Sequence, residues 1–245
     1  MSPEHKRTIA ICQPNFMPWA GYFEMAHRAD VFVMLDDVQF VRSWWTNRNR
    51  IRKREAPNWQ WVTAQVHHAP QKSLINSIKL TYEKRWRNRI VESLRRMYGR
   101  SPYFKTYSDD ISDTLLTDFD RLADLNLAII RLFLSLLGIQ DRLLQSSTLP
   151  TEGTRDEKLA KICQELNADI YLANNGAKSY IEPEKFHRRD IGFVFQDYEH
   201  PTYDQGGAPF ISHLSVVDLL FWHGPAAREI LLQGRPKDWL DGVNY

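Results

Sequence analysis

Within the first forty residues two short apolar runs, Thr8 to Gln13 (TIAICQ) and Ala29 to Leu35 (ADVFVML), are separated by one proline-bracketed loop and one helical stretch. Runs this apolar, without polar alternation, belong to strands covered on both faces, as in a parallel sheet. Pro14 and Pro18 turn the chain out of the first strand, because each fixes its own φ and restrains the residue before it. From Gly21 to Arg28 the spacing of Tyr22, Met25 and Ala26 is helical. Strand, loop, helix, strand is half of a parallel α/β sheet, whose ligands gather beyond the carboxyl ends of the strands. The two motifs that look chemical, residues 13–22 and 36–39, fall at those ends.

The rest of the chain extends the pattern. Trp59 to His67 alternates like a strand with one solvated face, and Leu74 to Leu80 reads as another. Arg85 to Tyr98 predicts a basic amphipathic helix, and residues 108–139 predict two helices, of which Leu122 to Leu137 is apolar enough to be central. Ser146 to Arg155, with Pro150 and Gly153, is the best boundary in the chain. Beyond it come a helix (Lys158 to Leu166), a strand (Ile170 to Ala173), an irregular stretch (Tyr180 to Phe186), a strand (Gly192 to Tyr198) and a helix (Leu214 to Trp222). The expected fold is α/β, a mostly parallel sheet with flanking helices. A Rossmann-like N-terminal half with a helical insertion (1–150) precedes a smaller α/β C-terminal half (151–245) that completes the same cleft.

Charge is unevenly placed. Arg42 to Lys105 holds 16 Lys and Arg against three acids, a local +13, although the whole chain of 245 residues is only +2. Such a segment suits an anionic ligand: a nucleotide, a phosphorylated sugar or RNA. No uncharged apolar run approaches the ~20 residues of a membrane span; the longest, Leu125 to Ile139, contains Arg131. Residues 1–12 carry Glu4, His5, Lys6 and Arg7 and no apolar leader, so a cytoplasmic protein is expected. Cys12 and Cys163 are too far apart in sequence for a dense disulfide framework and read as buried small hydrophobes, and no cluster has zinc spacing.

Four clusters carry candidate chemistry. In the first, Gln13 and Asn15 expose amides after a buried strand, while Trp19, Gly21 and Tyr22 open a helix whose free N–H groups suit an anion. In the second, Asp36 and Asp37, followed by Gln39, end an apolar strand; they suit a hydroxyl, a metal or general base work. The third is Trp45, Asn47, Arg48, Asn49 and Arg50, where guanidinium forks fit phosphate and the aromatics fit a stacked base. The fourth is His200, Tyr203 and Gln205, with His200 as a candidate proton carrier. There is no P-loop, GxGxxG or GxSxG.

The chain resembles the WbqC-like family. The resemblance rests on Gln13-Pro14 with Pro18-Trp19 and Gly21-Tyr22-Phe23, on Phe32 to Gln39, and on Trp45 with Asn47 to Ile51. It continues through Tyr103-Phe104, His200-Pro201, Tyr203, Gln205, Leu214-Ser215 and Asp218 to Leu220. One departure is Ala173-Asn174-Asn175 before Gly176, where the family carries a serine–glycine pair. The resemblance implies a setting in bacterial surface polysaccharide, O-antigen and lipopolysaccharide assembly, and transfer of glycine to an amino sugar. Pro18 to Tyr22 also sits where the HxGH-type motif lies in nucleotidyl-transferring α/β proteins, without its histidines.

The resulting expectation is an enzyme that joins an aminoacyl group to the amine of a nucleotide-linked amino sugar. Asp36, Asp37 and His200 are its candidate catalytic groups; Arg48 and Arg50 would hold phosphates, and Asn47 and Asn49 the sugar or base. ATP with a free amino acid, an aminoacyl-tRNA or a thioester are the candidate donors. Two rivals stand beside it: nucleotidyl transfer through Mg²⁺ on Asp36 and Asp37, and an RNA- or nucleotide-binding module without chemistry.

Overall fold

In the computed structural model, residues 5–179, 181–207 and 209–237 are described. Thr8–Cys12 (β1), Ala20–Arg28 (α1) and Val31–Met34 (β2) form the expected βαβ unit, with β1 and β2 parallel. Leu143–Gln145 (β5) joins the far edge of β2, while Ile170–Ala173 (β6) and Gly192–Phe195 (β7) extend the sheet from β1. The order β5-β2-β1-β6-β7 is parallel throughout, so the sheet grows in opposite directions from the β1–β6 boundary. That reversal is the switch point at which ligands of open α/β sheets bind.

Strand alternation divides the core. Ala10 and Phe32 face one side with α1 and Leu122–Leu136 (α4), while Ile9, Ile11 and Val33 face the other, under Arg155–Glu165 (α5) and Phe186. Helices therefore cover both faces, a Rossmann-like α/β arrangement. The first side also receives Arg85–Tyr98 (α2), Phe104–Leu116 (α3), Val217–His223 (α7) and Ala227–Leu232 (α8). A one-turn helix, Glu184–His187 (α6), interrupts the stretch expected to be irregular, whose first residue, Tyr180, lies outside the described residues, as does Glu4.

The insertion between β2 and β5 departs most from expectation. Arg48–Arg52 (β3), read as part of a binding cluster with no element assigned, is a strand paired antiparallel with Trp59–Thr63 (β4). Leu74 to Leu80 is not a strand: Ile75–Ser77 forms a 3-10 turn, with single bridges from Leu74 to Gln39 and from Leu80 to Val66. Its buried residues Ile75, Ile78 and Leu80 are spaced three and two apart, which no pleated face can accommodate. Cys163 is fully buried and Cys12 partly so beside Met25; burial pushes the Cys12 thiol up to about 12, so both suit packing better than chemistry. Among the described residues no helix is long and apolar enough to cross a membrane.

Candidate functional site

The carboxyl ends of β1, β2 and β5 meet in a saturated polar clip. Asp36 is 1 % exposed. Its oxygens accept bonds from Gln145 Nε2 (3.0 Å), Ser146 Oγ (3.1 Å), Ser147 N (3.0 Å) and Ser147 Oγ (2.7 Å). With three donors of its own and a share in the Ser146 proton, whose shorter bond goes to Asp37, this buried carboxylate is held as an anchor, so the expected base at Asp36 is corrected to a structural role. Asp37 is partly exposed and pairs with Lys158 Nζ and Ser146 Oγ, both at 2.5 Å. Lys158 enters from the first turns of α5, over Gly153, whose φ of +139° favours glycine. With its oxygens committed to a cation and a hydroxyl, Asp37 also suits anchoring better than proton abstraction. Among the described residues no group of three or more His, Cys, Asp or Glu has metal-holding geometry.

The loop from β1 to α1 is held by buried amides. Asn126 Nδ2, from the middle of apolar α4, donates to Pro14 O (2.7 Å) and Thr46 O (2.8 Å). Asn49 Nδ2 donates to Phe16 O and Met17 O, and Asn47 Nδ2 to Ala64 O. Asn47 and Asn49 are both buried: Asn49 fixes the loop against the hairpin, and Asn47 ties the start of β3 to the end of β4, so neither is placed to orient a ligand. Tyr22 is likewise buried, donating to Gln13 O. Gly21 lies beneath the Trp19 indole, where a Cβ would come 2.3 Å from Cη2, and the ring covers the helix start expected to bind an anion. Gln13, Asn15 and Trp19 remain part-exposed, and Gln39 is exposed.

The outer face of the β3–β4 hairpin is where the basic and aromatic residues converge. Register pairs Arg48 with Thr63, Arg50 with Trp61 and Arg52 with Trp59, so one face carries three arginines and two tryptophans. The Arg48 guanidinium lies 4.0 Å over Trp61, and that of Arg50 lies 5.3 Å from Trp59 and 5.7 Å from Trp45. Arg52 is different. It donates to Gln205 Oε1 (2.9 Å), Gly207 O (2.6 Å) and Pro209 O (3.2 Å), tying down the segment that leads to His213. Arg48 and Arg50 are held more lightly, Arg50 through one bond from Nη2 to His213 O (3.4 Å). The strand alternates between part-exposed arginines and buried Asn49 and Ile51.

Beside the hairpin, Trp19 meets two imidazoles: His213 stacks on it at 4.6 Å and His200 at 5.9 Å, between centroids. His200 is also packed by Tyr203 and Phe210, and this burial pushes its pKa down to about 4. Its Nδ1 meets Pro201 O at 2.9 Å, which leaves Nε2 as the acceptor nitrogen of a neutral ring. Burial and the Arg50 charge also lower His213. Gln205 is buried and clips its loop through Ile211 N and O, and Tyr203 is buried too, so neither reaches the surface. Behind them lies Asp218, fully buried at the start of α7 and raised by that burial to about 6. The Tyr98 and Tyr203 phenols, Gln205 and Arg52 face it and limit the rise, yet neither oxygen meets a partner in good hydrogen-bond geometry.

Of the residues read from the sequence, Trp45, Arg48 and Arg50 share the hairpin face, and Arg50 meets His213 beside Trp19 and His200; Gln13 and Asn15 lie in the loop after β1, and Asp37 and Gln39 follow β2. Sequence reasoning missed Lys158, Arg52, His213 and Asp218. A shallow concavity of 940 Å³, lined by Leu149, Thr151, Lys161 and Gln164 among others, lies away from this region and gathers no comparable chemistry.

Comparisons with known proteins give the family of the chain. An uncharacterized protein of Mycobacterium tuberculosis (strain ATCC 25618 / H37Rv), Rv1507c, is 30% identical over 231 residues, covering 92% of this chain and 97% of that one. No solved structure matches the chain significantly. The profile of the WbqC-like protein family matches residues 13–230, from the amide after β1 to the last helix. The chain therefore belongs to the WbqC-like protein family.

Proposed function

We propose that this protein transfers an aminoacyl group, glycyl by the family resemblance, to the amine of a nucleotide-linked amino sugar used in surface-polysaccharide assembly. The observation that carries the reading is the arginine–tryptophan face of β3–β4 set beside Trp19 and His200, at the loop leaving β1. Such a face suits a ligand that is both anionic and ringed. Arg48 and Arg50 take the diphosphate, where guanidinium forks bind oxygens in pairs. Gln13 and Asn15 meet sugar hydroxyls or the acyl donor.

The acid–base work falls to His200 in place of the carboxylates. Its ring is neutral at physiological pH and its Nε2 carries the free lone pair. As the sugar amine forms its bond to the acyl carbon, the bond from that carbon to the leaving oxygen of an activated donor breaks. The amine proton, far more acidic once the new bond forms, passes to Nε2 and on to the leaving group. The donor is an aminoacyl ester, such as aminoacyl-tRNA, or an aminoacyl phosphate made from ATP.

Incubation of the purified protein with a nucleotide-linked amino sugar and glycyl-tRNA, or with glycine and ATP, followed by mass spectrometry, tests the reading. A glycylated nucleotide sugar, lost in Arg48→Ala and His200→Ala, is the expected result. Absence of any acylated sugar with both donors across several amino sugars contradicts it. So does a nucleotidylated product.

A further inference from the structure

Around Trp19 the fold gathers buried polar atoms that no neighbour satisfies. Tyr198 Oη, His200 Nε2, Ser215 Oγ and Arg50 Nε are all without a hydrogen-bond partner among the described residues. Two belong to rings packed on one indole, and the other two to residues joined to it through the Ser215 backbone and through His213. Tyr198 meets it edge-on at 5.5 Å and His200 stacks at 5.9 Å. Ser215 is bridged to Trp19 through the backbone, its N–H donates to Arg50 O, and Arg50 Nη2 reaches His213 O at 3.4 Å. A buried polar atom left unmade costs ~1–3 kcal/mol, so four around one ring are expensive unless something uses them. His213, which stacks on the same indole, holds a left-handed φ of +59° that a non-glycine residue rarely adopts. Strain of that kind collects at ligand sites.

We infer that Trp19 is a resident plug in the seat of a nucleobase, and that a nucleotide ligand swings the indole out and puts its base in that place. The seat is shaped for a flat ring, with the His213 and His200 imidazoles as a stacking wall and the backbone of Gly21 as its floor. Its rim asks for a heteroatom-rich edge. Arg50 Nε donates, and the Ser215 hydroxyl does either. The benzo edge of an indole offers none of these, whereas ring nitrogens and exocyclic groups of a base offer both. The two surface cations then fall where the phosphates of the same ligand would continue, since the guanidinium of Arg50 belongs to seat and hairpin alike. This inference rests on the nucleotide-binding part of the reading above and is independent of acyl transfer.

Nucleosides, which carry neither phosphate nor sugar amine, isolate the seat from the rest. Adenosine, guanosine, cytidine and uridine are titrated into wild type and Trp19→Ala. Where the plug leaves the seat open in about a tenth of molecules, its removal tightens binding about tenfold. In wild type labelled with 5-fluorotryptophan, the nucleoside that binds shifts the Trp19 fluorine resonance, assigned by its loss in Trp19→Phe, and leaves the resonances of the tryptophans remote from the seat in place. The fluorine measurement decides alone if Trp19→Ala does not fold. Equal or weaker nucleoside binding by a folded Trp19→Ala, or a Trp19 resonance that saturating nucleoside does not move, overturns the inference. Failure of every nucleoside to bind either protein overturns it too. Nucleoside binding with plug behaviour, in a protein that forms no acylated sugar, upholds the seat and removes the transferase reading.

Discussion

At the scale of single residues, identical side chains have been given different work by burial. Asp36 and Asp37 are neighbours, yet one is sealed under three donors of its own and the other pairs with Lys158 at the surface edge. Asp36→Ala strands those donors, and a loss of ~2–4 kcal/mol in urea unfolding is expected. A catalytic carboxylate would give the reverse pattern, lost turnover at unchanged stability. His200 and Asp218 pull stability in opposite directions with pH. His200 falls from 6.5 to about 4 on folding, so between those values the unfolded state binds more protons and stability rises with pH. Asp218 rises from 3.8 to about 6, so across that window the native state binds more protons and its share of stability falls as pH rises. Asp218→Asn should therefore gain on wild type steadily from pH 4 to pH 6, read from unfolding curves at each pH; a constant difference would contradict the burial of an ionising carboxyl. Imidazole NMR should find the His200 ring still neutral at pH 5. Neither shift was legible in sequence, because each comes from what packs around the group.

At the scale of elements, apolar patterning carried the sheet and missed the hairpin. β1, β2, β6 and β7 are short apolar runs bounded by turn residues, which pattern alone identifies. β3 reads RNRIR, and its charges and amides suggested a binding cluster without marking a strand; alternate positions are nevertheless buried, with Asn49 and Ile51 inward. Buried asparagines on that inward face stitch hairpin to loop, a use that sequence cannot distinguish from an amide reaching for a ligand. Asn49→Ala removes two bonds to the Phe16 and Met17 carbonyls, and should cost ~1–3 kcal/mol while loosening the loop to Trp19. Hydrogen exchange in residues 13–19 would show it. β5 escaped because three half-buried residues hold too little pattern to register. Arg52 and Arg48 differ just as sharply on one strand. Arg52→Ala should free the segment 205–209 to proteolysis, whereas Arg48→Ala should leave the protease pattern and melting point unchanged.

At the scale of the whole molecule, the basic excess of residues 42–105 was visible from the start, but not how it is divided. Arg87 and Lys84 share Asp118, and Arg52 holds the loop to His213. The arginines at 85, 89, 95 and 96 form the solvated face of α2. That division leaves Arg48 and Arg50 on the tryptophan face, the two cations that the proposed function gives to a small anionic ligand. A ligand held by two such contacts should lose affinity gently with salt, whereas RNA spread over the basic segment would lose ~10³-fold or more between low and moderate salt. The most direct measurement is a thermal-shift screen of the purified protein against nucleotide-linked amino sugars, plain nucleotide sugars, ATP and bulk tRNA at two salt concentrations. Selective stabilisation by an amino-sugar nucleotide, near ~2.7 kcal/mol at a hundred times its Kd and absent in Arg48→Ala, is the predicted result. Stabilisation by tRNA alone, lost at moderate salt, would contradict the account.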